Sequence, residues 1–226
     1  MQPVTNSVVD RLAEVEERIA RAVARAGRRR EEVKLIAVTK VFPVSVIVDG
    51  YAAGLREFGE NYVQEFAGKK PLVANLKGAR FHLIGHLQSN KAKRAAELFD
   101  VIQTVDTGKL ARRLDESGLD REVMVEVKLS GEEAKRGAAP EEVPGLVEQI
   151  REHEHLRLAG LMTMPPWSTD PEEARPYFAR LRELAGRLNV PNLSMGMSND
   201  FEVAIEEGAT HIRVGSALFG PRPKRH

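Results

Sequence analysis

Apolar residues at the start of the chain recur at helical spacing. Val8, Leu12, Val15, Ile19 and Val23 are separated by Glu and Arg, and Gly27 with the Arg28-Arg29-Arg30 run closes the segment. This pattern predicts an amphipathic helix over about 6–27. The period then changes. "VKLIAVT" at 33–39 is short, unbroken and rich in β-branched residues, the profile of a parallel strand covered on both faces. Similar runs follow at 57–59, 81–85, 101–105, 123–129, 156–161, 192–195 and 211–214, with stretches of helical length between most of them. One strand followed by one helix, repeated eight times, predicts a (β/α)8 barrel over about 33–220 rather than an open sheet. No Pro/Gly/Ser-rich linker interrupts the series, so the chain reads as one α/β domain: an added N-terminal helix, the barrel, and a short basic tail at 221–226.

Composition narrows the function classes. The 34 Lys+Arg nearly balance 33 Asp+Glu, so the overall field gives no reason to expect nucleic acid or membrane as a partner, and the charges read mainly as solvated helix faces. The absence of cysteine removes disulfides, thiolate catalysis and cysteine-ligated metal from consideration. No apolar stretch approaches the roughly 18 residues of a membrane span, and the N-terminus has no signal-like apolar core. A soluble cytoplasmic protein is the expectation.

A barrel concentrates chemistry at the C-terminal ends of its strands, with phosphate commonly held by the loops after the last two. Here those ends carry small and polar residues, among them Lys40, Asn61, His86, Thr163, Met197, Ser198, Arg213, Gly215 and Ser216. Ser198 is placed to cap a helix over 199–207, which Gly208 ends, and the turn at Gly215-Ser216 offers further backbone amides. Side by side, the two turns would make a phosphate cup; taken singly, they could merely cap a helix and turn the chain. Lys40 follows an apolar strand, where partial desolvation would lower its pKa toward that of a usable amine nucleophile. Amine plus phosphate cup is the minimal site for a phosphorylated aldehyde. Asn61 could donate to a ring oxygen or cap the helix that begins there. His82 and His86, spaced i, i+4 across a strand end, favour core or outer histidines over a metal pair, and the "HEH" at 153–155 reads as a solvated turn. P-loop, HExxH, GxSxG and GxGxxG motifs are absent.

The segments "LIAVTK", "FGENYVQE", "FHLIGHLQSNK", "QTVDT", "GLMTMPP" and "LSMGMSNDFEVAIEEGATHIRVGSALFG", in this order from about Val33 to Gly220, resemble the pyridoxal phosphate homeostasis protein family. That family shares the barrel of the alanine racemase N-terminal domain. One departure is Lys128, where the family usually has asparagine. The resemblance implies that Lys40 forms an internal aldimine with pyridoxal 5′-phosphate, that Ser198, Gly215 and Ser216 hold its phosphate, and that Arg213 sits by the pyridine nitrogen. Asn61 and Met197 complete the expected cofactor-binding set, with no metal and no catalytic residue.

An arginine at the ring nitrogen leaves it neutral and makes the cofactor a weaker electron sink than an acidic partner would. Racemases of this fold also carry a catalytic tyrosine on an added β-domain, because inverting a Cα centre needs an acid and a base on opposite faces. Tyr51 and Tyr177 lie away from the strand ends, and Tyr62 is expected to pack in a helix. The reading is therefore a reversible cofactor binder acting in vitamin B6 and amino-acid homeostasis, a monomer or weak dimer, with apo pyridoxal phosphate enzymes as the implied partners. The alternatives are an amino-acid racemase or lyase, and a barrel isomerase of phosphorylated sugars. Lys135 is the first suspect for a second cofactor-linked lysine.

Overall fold

The computed structural model describes residues 7–130 and 136–221. Eight parallel strands close in chain order into a barrel, from β1 (Lys34–Val38), β2 (Glu57–Glu60), β3 (Arg80–Leu83) and β4 (Val101–Val105) through β5 (Arg121–Glu126), β6 (Leu156–Met162), β7 (Asn192–Met197) and β8 (His211–Val214). The outer layer contains α2 (Val44–Ala52), α3 (Val63–Lys69), α4 (Ala92–Leu98), α5 (Gly108–Asp115), α6 (Val143–Glu152), α7 (Arg175–Leu188), α8 (Phe201–Glu206) and α9 (Ser216–Phe219), preceded by α1 (Val8–Arg25). The barrel, its eight strands and the extra helix match the expectation from periodicity.

Boundaries moved where backbone pairing outweighs composition. β5 stops at Glu126 instead of continuing to Leu129, because Val127 turns away to bridge Ala138. β7 runs on to Met197, past Gly196, whose φ of +92° only glycine adopts at low cost. A Cβ on Gly196 would also stand 2.6 Å from the Ala204 Cβ, so this residue lets α8 pack closely on the strand end.

The α1 helix begins at a capping box in which Ser7 and Asp10 exchange side-chain and backbone bonds, and it ends before Gly27 at φ +63°. Its apolar stripe, Val15, Ile19, Ala22 and Val23, is buried. The charged residues beyond are not a purely solvated face. Arg18 pairs with Glu202 at 2.7 Å, and Arg28 donates to the carbonyls of Ile205 and Ala209 at 2.9 and 2.8 Å, tying α1 to α8.

Between the barrel wall and α3–α4, four phenylalanines stack. Phe66 lies 4.8 Å from both Phe81 and Phe99, centroid to centroid, and Phe81 lies 5.8 Å from Phe58. Phe66 is fully buried. Its removal would leave a cavity that rigid strands cannot close, so Phe66→Ala is expected to cost about 3–5 kcal/mol, read as a lowered denaturation midpoint in urea.

Candidate functional site

Side chains alternate across each strand, so Ile36, Val38 and Lys40 share the inward direction of β1 and its extension, and Lys40 reaches the mouth. The turn carrying Lys40 is held from outside the barrel. Buried Lys69 on α3 donates to the Thr39 carbonyl at 3.1 Å, to Glu60 Oε1 at 2.8 Å and to Glu65 Oε1 at 2.7 Å. The Thr39 hydroxyl donates to the same Glu60 oxygen at 2.8 Å, and the Val41 amide donates to Glu65 Oε1 at 2.7 Å. Residues on both sides of Lys40 are thereby fixed, and Val41 sits at φ +62°, a left-handed conformation that a β-branched residue adopts only under constraint. Burial pushes the Glu60 carboxyl up despite the ammonium beside it.

A cavity of about 240 Å³ opens at the C-terminal end of the barrel. All seven residues expected to bind cofactor line it: Lys40, Asn61, Met197, Ser198, Arg213, Gly215 and Ser216. A larger groove of about 590 Å³ lies at the opposite rim, between charged residues such as Arg80, Asp100, Glu122 and Arg157, and contains none of them. The Lys40 amine, the Arg213 guanidinium and the turns at Ser198 and Gly215 meet in the smaller space.

Two expected local roles change. Ser198 does not cap a helix over 199–207: α8 starts at Phe201, Asp200 precedes it, and the Asp200 carboxylate accepts the Met197 amide at 2.6 Å. Ser198 Oγ instead accepts from the amides of Gly215 and Ala217, both at 3.4 Å, and so joins the seventh and eighth loops directly. Asn61 does not cap α3 either, since Tyr62 is the residue that precedes it. The Asn61 Oδ1 is buried beside the cavity with no hydrogen-bond partner, which fits a ligand donor. Its main chain is pressed against Gly85, where a Cβ would fall 2.3 Å from the Asn61 carbonyl oxygen.

Arg213 is 3% exposed and donates to Ser194 Oγ at 2.7 Å and to the Thr163 carbonyl at 2.9 Å. Burial pushes its pKa down to about 10, opposed by Asp200 and Glu126, so it stays charged at neutral pH. His82 lies inside the barrel, bonded to Glu57 and Gln103, while His86 is exposed at the rim. Among the described residues no cluster suits a metal ion. Tyr62 is 44% exposed rather than packed in a helix, and no tyrosine lines the cavity. The "HEH" histidines face acids, His153 with Asp115 and His155 with Asp120, instead of water alone. Lys128 is not among the lining residues, and Lys135 and most of the basic tail lie outside the described residues.

The chain matches the alanine racemase N-terminal domain over residues 11–223. It is 44% identical over 223 residues to the pyridoxal phosphate homeostasis protein of Pseudomonas aeruginosa, covering 96% of each chain. It belongs to the pyridoxal phosphate homeostasis protein family. The structure of PipY from Synechococcus elongatus with PLP bound, 37% identical, superposes with a TM-score of 0.83 over 95% of this chain and 100% of that one. Alanine racemase of Clostridium difficile shares the fold at 14% identity and a TM-score of 0.71, over 92% of this chain and 60% of its own.

Sequence reading missed several features of the mouth. Met164, Trp167, Ser168, Asn199 and Asp200 line the same cavity but carry no periodic signal. Glu126 went unnoticed inside an apolar strand; burial, then Asp106, push its carboxyl up to about 7, against Arg213 and Arg136. Between the ordinary 4.5 and about 7, the folded protein keeps a proton that the unfolded chain releases. Stability is therefore fully present at low pH and falls as pH rises through that window, by up to about 3 kcal/mol. Glu126→Gln is expected to raise the melting temperature at pH 8 and leave it nearly unchanged at pH 5; equal shifts at both would refute the assignment.

Proposed function

We propose that this family member holds pyridoxal 5′-phosphate reversibly on Lys40 and hands it on, acting in vitamin B6 and amino-acid homeostasis without robust turnover. One observation carries the reading: the Lys40 amine, the buried Arg213 and the Ser198–Gly215 junction open into one cavity of about 240 Å³. The relatives' name and the PLP-bound PipY structure agree with it.

When bound, the cofactor supplies an electrophilic aldehyde carbon, to which an amine adds reversibly with loss of water. The chain's own residues do the rest. The clamp of Lys69, Glu60 and Glu65 aims Lys40 into the cavity. Amides of the seventh and eighth loops, joined by Ser198 Oγ, suit the phosphate oxygens. Arg213, charged and almost wholly buried, would meet the ring nitrogen as a donor and leave it unprotonated. Asn61 Oδ1, buried without a hydrogen-bond partner, would accept from a ring substituent. The apo forms of pyridoxal phosphate enzymes receive the released cofactor from a cytoplasmic monomer or weak dimer.

A second reading, an amino-acid racemase or lyase, has one observation in its favour. Glu126, next to the Arg213 charge, has its pKa at about 7, where a proton is easily exchanged. Against it, no tyrosine lines the cavity to serve a second face of Cα.

Protein soaked with pyridoxal 5′-phosphate is expected to turn yellow and, after borohydride reduction and digestion, to carry the label on the Lys40 peptide. Lys40→Ala should fold as before and lose both colour and label; a colourless wild type sinks the reading. Loaded protein incubated with each L-amino acid is expected to give no sustained change in optical rotation and no keto acid. Steady turnover that disappears in Glu126→Gln would transfer the argument to the racemase or lyase reading.

A further inference from the structure

Barrel interiors of this class are usually filled by layers of branched aliphatic side chains. Here a run of buried polar groups occupies that space. Arg213 Nη1 donates to Ser194 Oγ at 2.7 Å, and Ser194 Oγ donates to Gln103 Oε1 at 2.6 Å. Gln103 Nε2 meets His82 Nδ1 at 3.0 Å, and His82 Nε2 meets Glu57 Oε2 at 2.6 Å. Ser194 and Gln103 are fully buried and His82 is 1% exposed.

The donor and acceptor chemistry permits one direction. A guanidinium only donates, so Ser194 Oγ accepts from it and has its own proton to give. That proton fixes Gln103 Oε1 as the acceptor and turns Gln103 Nε2 toward His82. His82 Nδ1 must then accept, its ring proton sits on Nε2, and Nε2–H donates to Glu57. Burial pushes the Glu57 carboxyl up, but the bond from His82 and the nearby charges of Arg80 and Lys34 act together against it and hold the group below its ordinary value, so the chain ends on a carboxylate. His211, whose ring centroid is 6.5 Å from that of His82, is pushed by burial to about 3 and brings no competing charge at neutral pH. A cation at the cavity is thus linked to an anion on the first residue of β2, whose side chain is 19% exposed, through three neutral residues from β3, β4 and β7.

We infer that Ser194, Gln103, His82 and Glu57 are positioning residues for Arg213: their one-way chain of hydrogen bonds sets the plane of the guanidinium and commits its inner donors, so that its outer face is presented to the ligand in the cavity. This rests on the reading that pyridoxal 5′-phosphate occupies that cavity. None of the four is among the residues lining the cavity. They act through Arg213, and because the bonds run in series, a change at either end reaches the other.

The test compares Ser194→Ala, Ser194→Thr and Glu57→Gln with the wild type, two of them close in shape so that folding is preserved. Loaded with pyridoxal 5′-phosphate, Ser194→Ala and Glu57→Gln are expected to keep the borohydride label on Lys40 but to show a shifted visible absorption maximum. They should also release cofactor roughly ten-fold faster into an excess of a trapping amine. Ser194→Thr, which keeps the hydroxyl, should restore both. Nitrogen NMR of the His82 ring in cofactor-free protein is expected to show a bare Nδ1 and a protonated Nε2. A ring protonated at Nδ1, or spectra and release rates in Ser194→Ala and Glu57→Gln that overlay the wild type, would overturn the inference. Absence of any label on wild-type Lys40 would instead remove the underlying reading, while the ring-nitrogen measurement, which needs no cofactor, would still decide the direction of the chain.

Discussion

A guanidinium held at 3% exposure is the constraint around which this barrel is organised. A charge that deep is tolerable only if its donors are met and its field is answered. Thr163 and Ser194 meet two of the donors, and Asp200 and Glu126 answer the field from the seventh loop and the end of β5. The demand then propagates: Ser194 needs an acceptor, Gln103 supplies it and needs one in turn, and the sequence stops only at a carboxylate near the N-terminal face. Among the described residues a small apolar cluster, Met124, Ala159 and Met162, stands apart from the main core, which lies between wall and helices.

The second organising element sits on the other side of the wall. Lys69 with Thr39, Glu60 and Glu65, and one strained backbone position, together turn Lys40 inward. Two buried ionic systems, one outside the barrel and one inside it, therefore converge on the same small cavity. The first fixes an amine and the second fixes a cation opposite. Neither is a general requirement of the fold, since an aliphatic interior and a glycine turn would close a barrel equally well. Their joint presence is what brings an amine and a guanidinium together at an ordinary strand-end rim.

The same geometry bears on carrier against catalyst. In the proposed function, a donor at the ring nitrogen that stays charged would withhold the proton an electron sink needs, and no tyrosine lines the cavity to supply the second proton site. Exposed Trp167 and Met164 border the opening instead, leaving it accessible from solvent. On that proposal, an open mouth and a damped electron sink would favour exchange of the bound molecule over chemistry on it.

The linear pattern alone determined the strand count, the barrel and the added helix, and it placed the seven mouth residues among the strand-end candidates, from which the family resemblance selected them. These follow from local periodicity and from the rule that strand ends share one rim, so short-range information suffices. Roles that depended on partners far along the chain were not legible. Ser198 has the composition of a helix cap, yet its bonds go to amides 17 and 19 positions away. Lys69 in "FAGKK" has the look of a solvated lysine, and only the docking of α3 buries it against Thr39, 30 positions earlier. Gln103 and Ser194 are 91 positions apart and show no motif. Hydrogen bonds are directional and reach about 3 Å, so which polar groups satisfy one another is decided when the barrel closes, whereas burial of apolar stripes is non-directional and already written in the order of residues.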